Sequence, residues 1–415
     1  MYSKVEKSKG AERHLTIKGN VKSPIVNDEQ VRFEDNRPEL PVQKKLKDII
    51  ENNPQENSFS SIVIQPKLTI KGDQGTQKII TRQDFYGGTA YKKRMHNAIK
   101  KASVETGVPI SNIKQSLLEL AGNNGVDLVF DNKREAIMHI IPKERVRFAK
   151  KHSDSVLGGE RLHTHKPRAT GLIAKMKTAK VTFNFDYGKT SNWKKPQMLN
   201  SFEVLKNYDV MAGNLKDNVD TRDEIENQQF GIPRGMNENI AKIDDDKEKA
   251  KALNKKVPPN LRPKYAALNF AGYNQGAAPS KYYGMSHMIF ANTIKARCTI
   301  TGGDSLGDAG SFAGLAFPLT NEGIEGLVEY CYRKEQPFLK WKSLDTQGQD
   351  EMDTDGENAD NPDFNFIEVQ IHGDVNYKNE VEKIVIASSE LGDDSAEVAI
   401  SNMKRITGVQ NVVVE

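Results

Sequence analysis

Between Phe366 and Gly373 the side chains alternate so regularly that an extended strand is the natural conformation for the segment. Ile367, Val369 and Ile371 fall on one face and Phe366, Glu368, Gln370 and His372 on the other. The first face belongs in a core. The second places a carboxylate, an amide and an imidazole side by side, which is costly unless they meet water, one another or a ligand. A wet outer face of an antiparallel sheet satisfies that condition, and so does a binding site.

Two earlier segments favour the site. Leu261-Arg262-Pro263-Lys264-Tyr265-Ala266-Ala267-Leu268-Asn269-Phe270 brings an arginine to the start of a strand. A guanidinium is a planar fork that grips phosphate oxygens in two places, as a dinucleotide site without a phosphate-cradling glycine loop requires. Arg297-Cys298-Thr299-Ile300-Thr301-Gly302-Gly303-Asp304-Ser305 alternates Thr299 and Thr301 onto one strand face, where hydroxyls can hold a ribose or orient a carboxylate. The bland readings are a surface arginine before a proline, the ordinary strand preference of threonine and a glycine turn.

Length and composition set the frame. A chain of 415 residues exceeds one ordinary core, and with 37% hydrophobic against 28% charged residues some segments are expected to stay unfolded. Residues 1–78, broken by Pro24, Pro38, Pro41, Pro54 and Pro66, read as a disordered leader with one short helix at Val42 to Glu51. Residues 79–190 read as a small α+β module. Helices are expected at Tyr91 to Glu105 and Ile110 to Ala121, a strand at Val126 to Phe130, a strand or helix followed by a basic helix across Arg134 to Lys151 and a strand at Val181 to Phe185. Residues 195–415 form the third unit. Helices are expected there at Ser201 to Asp209, Asn237 to Lys256 and Ile324 to Lys334, with strands at Val381 to Ile386 and Val412 to Val414.

The net charge of +4, from 60 basic and 56 acidic residues, does not by itself argue for nucleic acid, which is not the expected partner. No apolar run is long enough to span a membrane, and Met1 to Lys7 lacks the apolar stretch of a secretory signal. Export by a dedicated delivery system is therefore the expectation if the protein leaves its cell. Cys298 and Cys331, the two cysteines, read as reduced thiols.

At Arg262, Thr299, Thr301, Ser305 and Glu368 the sequence resembles the mono-ADP-ribosyltransferase toxins of the arginine, serine-threonine, glutamate class. It is similar in particular to effector domains of insecticidal toxin complexes that share an Arg-Pro-x-Tyr-x-Ala-Leu-Asn opening. The resemblance implies a C-terminal fold of two packed, mainly antiparallel sheets with flanking helices, holding NAD as substrate in the cleft between them. It implies that Arg262 grips the NAD phosphates, that Thr299, Thr301 or Ser305 supports the nicotinamide ribose, and that Tyr282, Tyr283 and Ser286 line the nicotinamide pocket. Glu368 would stabilise the oxocarbenium-like charge as nicotinamide leaves.

That family carries Glu or Gln two residues before the catalytic Glu, where this chain has Phe366, while Gln370 follows Glu368 by two. Either Glu368 is catalytic with Gln370 as its helper, or Gln370 holds the catalytic position in a divergent or inactivated form. The missing Glu pair points to an amide, hydroxyl or other acceptor rather than arginine. Family habit implies a host-cytosol target such as actin or a small GTPase. The bead-like leader, with its Gln65-Pro66-Lys67-Leu68, resembles those of toxins loaded into injection particles.

Three other readings compete. Met138-His139-Ile140-Ile141-Pro142 and Leu162-His163-Thr164-His165-Lys166 set three histidines in a basic context, which suits a metal-dependent nuclease. A non-catalytic cargo or delivery protein needs no site at all. Glu351, Asp353, Asp355 and Gly356 begin like a calcium loop, but Asn358 and Pro362 stand where an apolar residue and a bidentate carboxylate are required, so a solvated acidic loop is expected across Asp345 to Asp363.

Overall fold

The computed structural model describes residues 68–71, 77–80, 90–122, 128–157, 167–193, 195–207, 219–270, 272, 274–277, 283–303, 315–333 and 367–415, all within one compact unit, Ile64–Glu415. The expected leader helix, the acidic loop, His163, His165, Tyr282 and Ser305 lie outside these residues.

The N-terminal part pairs β1 (Leu68–Lys71) antiparallel with β2 (Gln77–Ile80) and parallel with β3 (Leu128–Phe130). Helices α1 (Ala90–Thr106), α2 (Ile110–Gly122) and α3 (Lys133–Leu157) pack with them. Met95 and Ile99, Ile113 and Leu117, and Ile137, Ile140 and Ile141 supply buried stripes at helical spacing. The ambiguous Arg134 to Lys151 stretch is thus one helix, which begins where Asn132 Oδ1 accepts the Glu135 N–H at 2.9 Å and runs through Pro142.

The C-terminal part is mixed α/β around a large sheet. Its strands are β4 (Lys180–Phe185), β5 (Lys264–Asn269), β6 (Ser286–Phe290), β7 (Cys298–Thr301), β8 (Phe317–Pro318), β9 (Glu368–Ile371), β10 (Val381–Ile386) and β11 (Val412–Val414). They join in the order β11-β10-β6-β4-β5-β9-β7-β8, antiparallel throughout except for β10 and β11. Instead of the expected two packed sheets, the strands described here form one hydrogen-bonded sheet. β4, which precedes the expected boundary at 190–195, sits near its centre, so the sheet draws on both sides of that boundary.

One sheet face is apolar. Val181, Ala266, Leu268, Met288, Cys298, Ile300, Val369 and Ile371 share a core with Met176 of α4 (Pro167–Thr178), Leu327 and Val328 of α9 (Asn321–Arg333) and Met403 of α11 (Ala396–Thr407). α11 shows how local chemistry fixes an element. Ser395 accepts the Val398 N–H at its start, and Gly408 ends it with φ 76°, a left-handed conformation that glycine adopts without strain.

The remaining helices are α5 (Ser201–Asn207), α6 (Val219–Phe230), α7 (Glu238–Ala241), α8 (Asp246–Lys256) and α10 (Tyr377–Glu380). The expected single helix from Asn237 to Lys256 is two, because Asn237 and Asp245 each cap a separate start. No helix among the described residues is long and apolar enough to cross a membrane.

Candidate functional site

The second sheet face carries the polar side chains. Register aligns Lys383, Ile289, Thr182, Ala267, Glu368 and Thr301 in one row across β10, β6, β4, β5, β9 and β7. A neighbouring row aligns Tyr265, Gln370 and Thr299. Segments separated by up to about a hundred residues in sequence thus meet as adjacent strands, with Glu368 flanked by Ala267 and Thr301.

Gln370 organises this face. Its Nε2 donates to Glu368 Oε1 at 2.7 Å and to Thr301 Oγ1 at 3.0 Å, while its Oε1 accepts from Thr299 Oγ1 at 2.9 Å. A carboxylate only accepts, so the amide nitrogen must face Glu368. Thr299 therefore spends its proton on Gln370, and His372 Nε2, 3.0 Å from Thr299 Oγ1, must be the donor to it. That leaves His372 Nδ1 without a proton, and it is buried with no hydrogen-bond partner among the described residues. Burial, with Arg145, Arg297 and Lys264 nearby, holds the His372 pKa well below its ordinary value, in keeping with a neutral ring. Thr301 passes its own proton to Gly303 O at 2.9 Å.

Arg262 and Glu368 belong to one polar layer and are both buried. Arg262 is fully buried, its Nη1 on Glu226 Oε2 at 2.6 Å and its Nη2 on Asp223 Oδ1 at 2.8 Å. Its guanidinium carbon lies 4.0 Å from the centre of the Phe202 ring. Arg262 precedes β5 and stands five positions before Ala267, the partner of Glu368, or roughly 16 Å along extended backbone. Tyr265 bridges the interval by donating to Glu226 Oε1 at 3.1 Å, with the Arg222 guanidinium 4.2 Å above its ring. Burial and the neighbouring Glu226 raise the Tyr265 pKa well above the ordinary phenol value, so it stays a donor.

The other expected residues are placed elsewhere or serve other contacts. Ser286 is on the apolar face, where its Oγ donates to Glu390 Oε2 at 2.5 Å and accepts from Ala387 N at 3.0 Å. Tyr283 is exposed just before β6. His139 lies on α3 with its ring 5.2 Å from Phe130, and burial lowers its pKa. Cys298 and Cys331 are buried free thiols, and burial pushes Cys298 up to about 12.

Sequence reasoning missed Arg222, Asp223 and Glu226 because α6 has no apolar stripe. Its buried side consists of Val219, Arg222, Asp223, Glu226, Gln229 and Phe230. It also missed a cavity of about 400 Å³ on the same polar face, lined by Lys180, Thr182, Asn269, His287, Ile289 and Lys383 among others. Thr182 is two strands from Glu368 in the same row, or roughly 10 Å, with Ala267 as the residue between them in register.

Residues 209–407 match a family described as "Protein of unknown function (DUF3626)". The matched span takes in α6, every strand from β5 to β10 and the whole Arg262, Thr299, Thr301, Glu368 and Gln370 set, but neither β4 nor β11. No curated protein matches the chain.

Proposed function

We propose that this protein transfers ADP-ribose from NAD to a protein acceptor, with Glu368 as the catalytic carboxylate. The observation that carries the reading is the row Thr182, Ala267, Glu368, Thr301, which sets a buried, oriented carboxylate beside the Thr301 hydroxyl on the sheet face where, two strands away, Thr182 lines a cavity. In the reaction the bond between the nicotinamide-ribose carbon and the nicotinamide nitrogen breaks, and nicotinamide leaves with the electron pair. Positive charge builds on the ribose, where a fixed carboxylate in a dry site stabilises it most. The acceptor's nucleophilic atom then bonds to that carbon and loses its proton.

Gln370 is the helper in this scheme. Its hydrogen bond to Glu368 Oε1 fixes the carboxylate without neutralising it. Arg262 remains the phosphate ligand of the scheme, and it must exchange Asp223 and Glu226 for phosphate oxygens to serve. We propose further that the protein is a bacterial toxin carried by an export or injection apparatus that engages its N-terminal region, and that actin or a small GTPase of the host is its target.

Incubating the full chain with labelled NAD and host lysate, beside Glu368→Gln, tests the reading. Label should enter a discrete acceptor with the unsubstituted protein only. A band of equal strength with Glu368→Gln removes Glu368 from its role.

A further inference from the structure

We propose that α6 is a displaceable acidic strap: Asp223 and Glu226 occupy Arg262 as a ligand's two phosphates would, and a diphosphate ligand binds by exchanging with them. The inference deepens the ADP-ribosyltransfer reading and rests on it for the identity of the ligand, NAD.

Four observations carry it. Arg262 meets two carboxylates, one on each terminal nitrogen, and all three side chains are inaccessible to solvent. One guanidinium between two anionic groups is the arrangement it would adopt on a pyrophosphate. The Arg262 Nε is buried without a hydrogen-bond partner among the described residues, so the strap leaves unused a donor that a phosphate oxygen can take.

The third observation is the way α6 is held. Between its terminal Val219 and Phe230, its buried side is polar, and buried ion pairs hold far less firmly than packed apolar surface because both charges lose water. Its apolar anchors are at its two ends, Val219 in a cluster with Phe202, Ile240, Ala250 and Leu253, and Phe230, whose carbonyl accepts from Arg145 at 3.2 Å beside Gly231 O at 2.7 Å. The fourth is that the two carboxylates are unequal. Asp223 also accepts Gly235 N and Met236 N, both at 2.8 Å, so it is tied to its own loop. Glu226 instead meets side chains, its Oε1 accepting from the Tyr265 hydroxyl at 3.1 Å and its charge facing Arg222 as well as Arg262, while burial raises its pKa.

Hydrogen exchange of α6 in the full chain, with and without saturating NAD, measures the exchange of partners directly. NAD should speed exchange of the 219–230 amides by about tenfold or more, and inorganic pyrophosphate should do so in part. Glu226→Gln keeps Asp223 on Arg262 and so should fold. It should open α6 without ligand and tighten NAD binding about tenfold, because less of the protein is held closed.

The outcomes separate the strap from the NAD reading. NAD binding that leaves α6 exchange unchanged or slower overturns the strap and leaves the function standing. Opening of α6 by pyrophosphate, with NAD bound neither by the parent chain nor by Glu226→Gln, supports a diphosphate-responsive strap and removes NAD as its ligand. No change in α6 with either compound overturns the strap whatever the variant does.

Discussion

Gln370 donates to Glu368 across 2.7 Å from two positions further along the same face of β9. The orientation of that amide propagates outward through Thr299 to His372. Glu368 therefore sits at one end of a chain of hydrogen bonds whose directions follow from its own charge.

Thr299→Val removes both the donor to Gln370 and the acceptor for His372 while keeping the shape. It should lower the rate of nicotinamide release about 10- to 100-fold, with little change in KM. Thr299→Ser, which keeps the hydroxyl, should restore most of it. Equal rates for the two variants would show that the chain does not position Glu368.

Gln370→Glu sets a second carboxylate within reach of Glu368 Oε1. Like charges at that distance keep one proton between them, so the acid limb of the pH–rate profile should move to higher pH. An unmoved limb with full activity would mean that the two side chains are not coupled.

Arg262→Ala leaves Asp223 and Glu226 facing each other with no cation between them. Removing one partner from a buried pair costs about 3–5 kcal/mol, and urea unfolding should show a loss of that order. Arg262→Lys should recover only part, since an ammonium is a point charge and not a fork. A midpoint unchanged in Arg262→Ala would contradict the described contacts.

His372 is depressed below its ordinary value in the folded protein, so the unfolded chain binds the extra proton first. Stability should therefore fall as pH drops below about 6.5, the pKa of the unfolded side chain. Thermal unfolding followed between pH 7 and 5 should show a smaller loss in His372→Asn. Lys264 acts with the same sign in a higher window. Burial lowers it to about 8 while its Nζ donates to Pro259 O and Arg262 O. Its penalty is full below that pH and should be relieved as pH rises from about 8 towards 10, relative to Lys264→Met.

The strand chemistry was legible in the sequence because alternation reports directly on sheet faces. Ile367, Val369 and Ile371 against Glu368, Gln370 and His372, and Cys298 and Ile300 against Thr299 and Thr301, fall on the faces that the pattern requires. What surrounds Arg262 was not legible. α6 buries Arg222, Asp223 and Glu226 by pairing rather than by apolar periodicity, so no stripe announces it. The short helix at Asn237 was hidden for a related reason. Its end and the next start lie in a run of charged residues, where only the capping bonds of Asn237 and Asp245 reveal the break. Ser286 looked like a pocket hydroxyl because sequence does not say which side of β6 faces Glu390.

The most direct test is the release of nicotinamide from NAD by the full chain, which needs no knowledge of the acceptor. The account predicts measurable release that falls about 10²- to 10³-fold in Glu368→Gln, with the folded structure retained. Release at the same rate in both proteins, or none from the unsubstituted chain at saturating NAD, would contradict it.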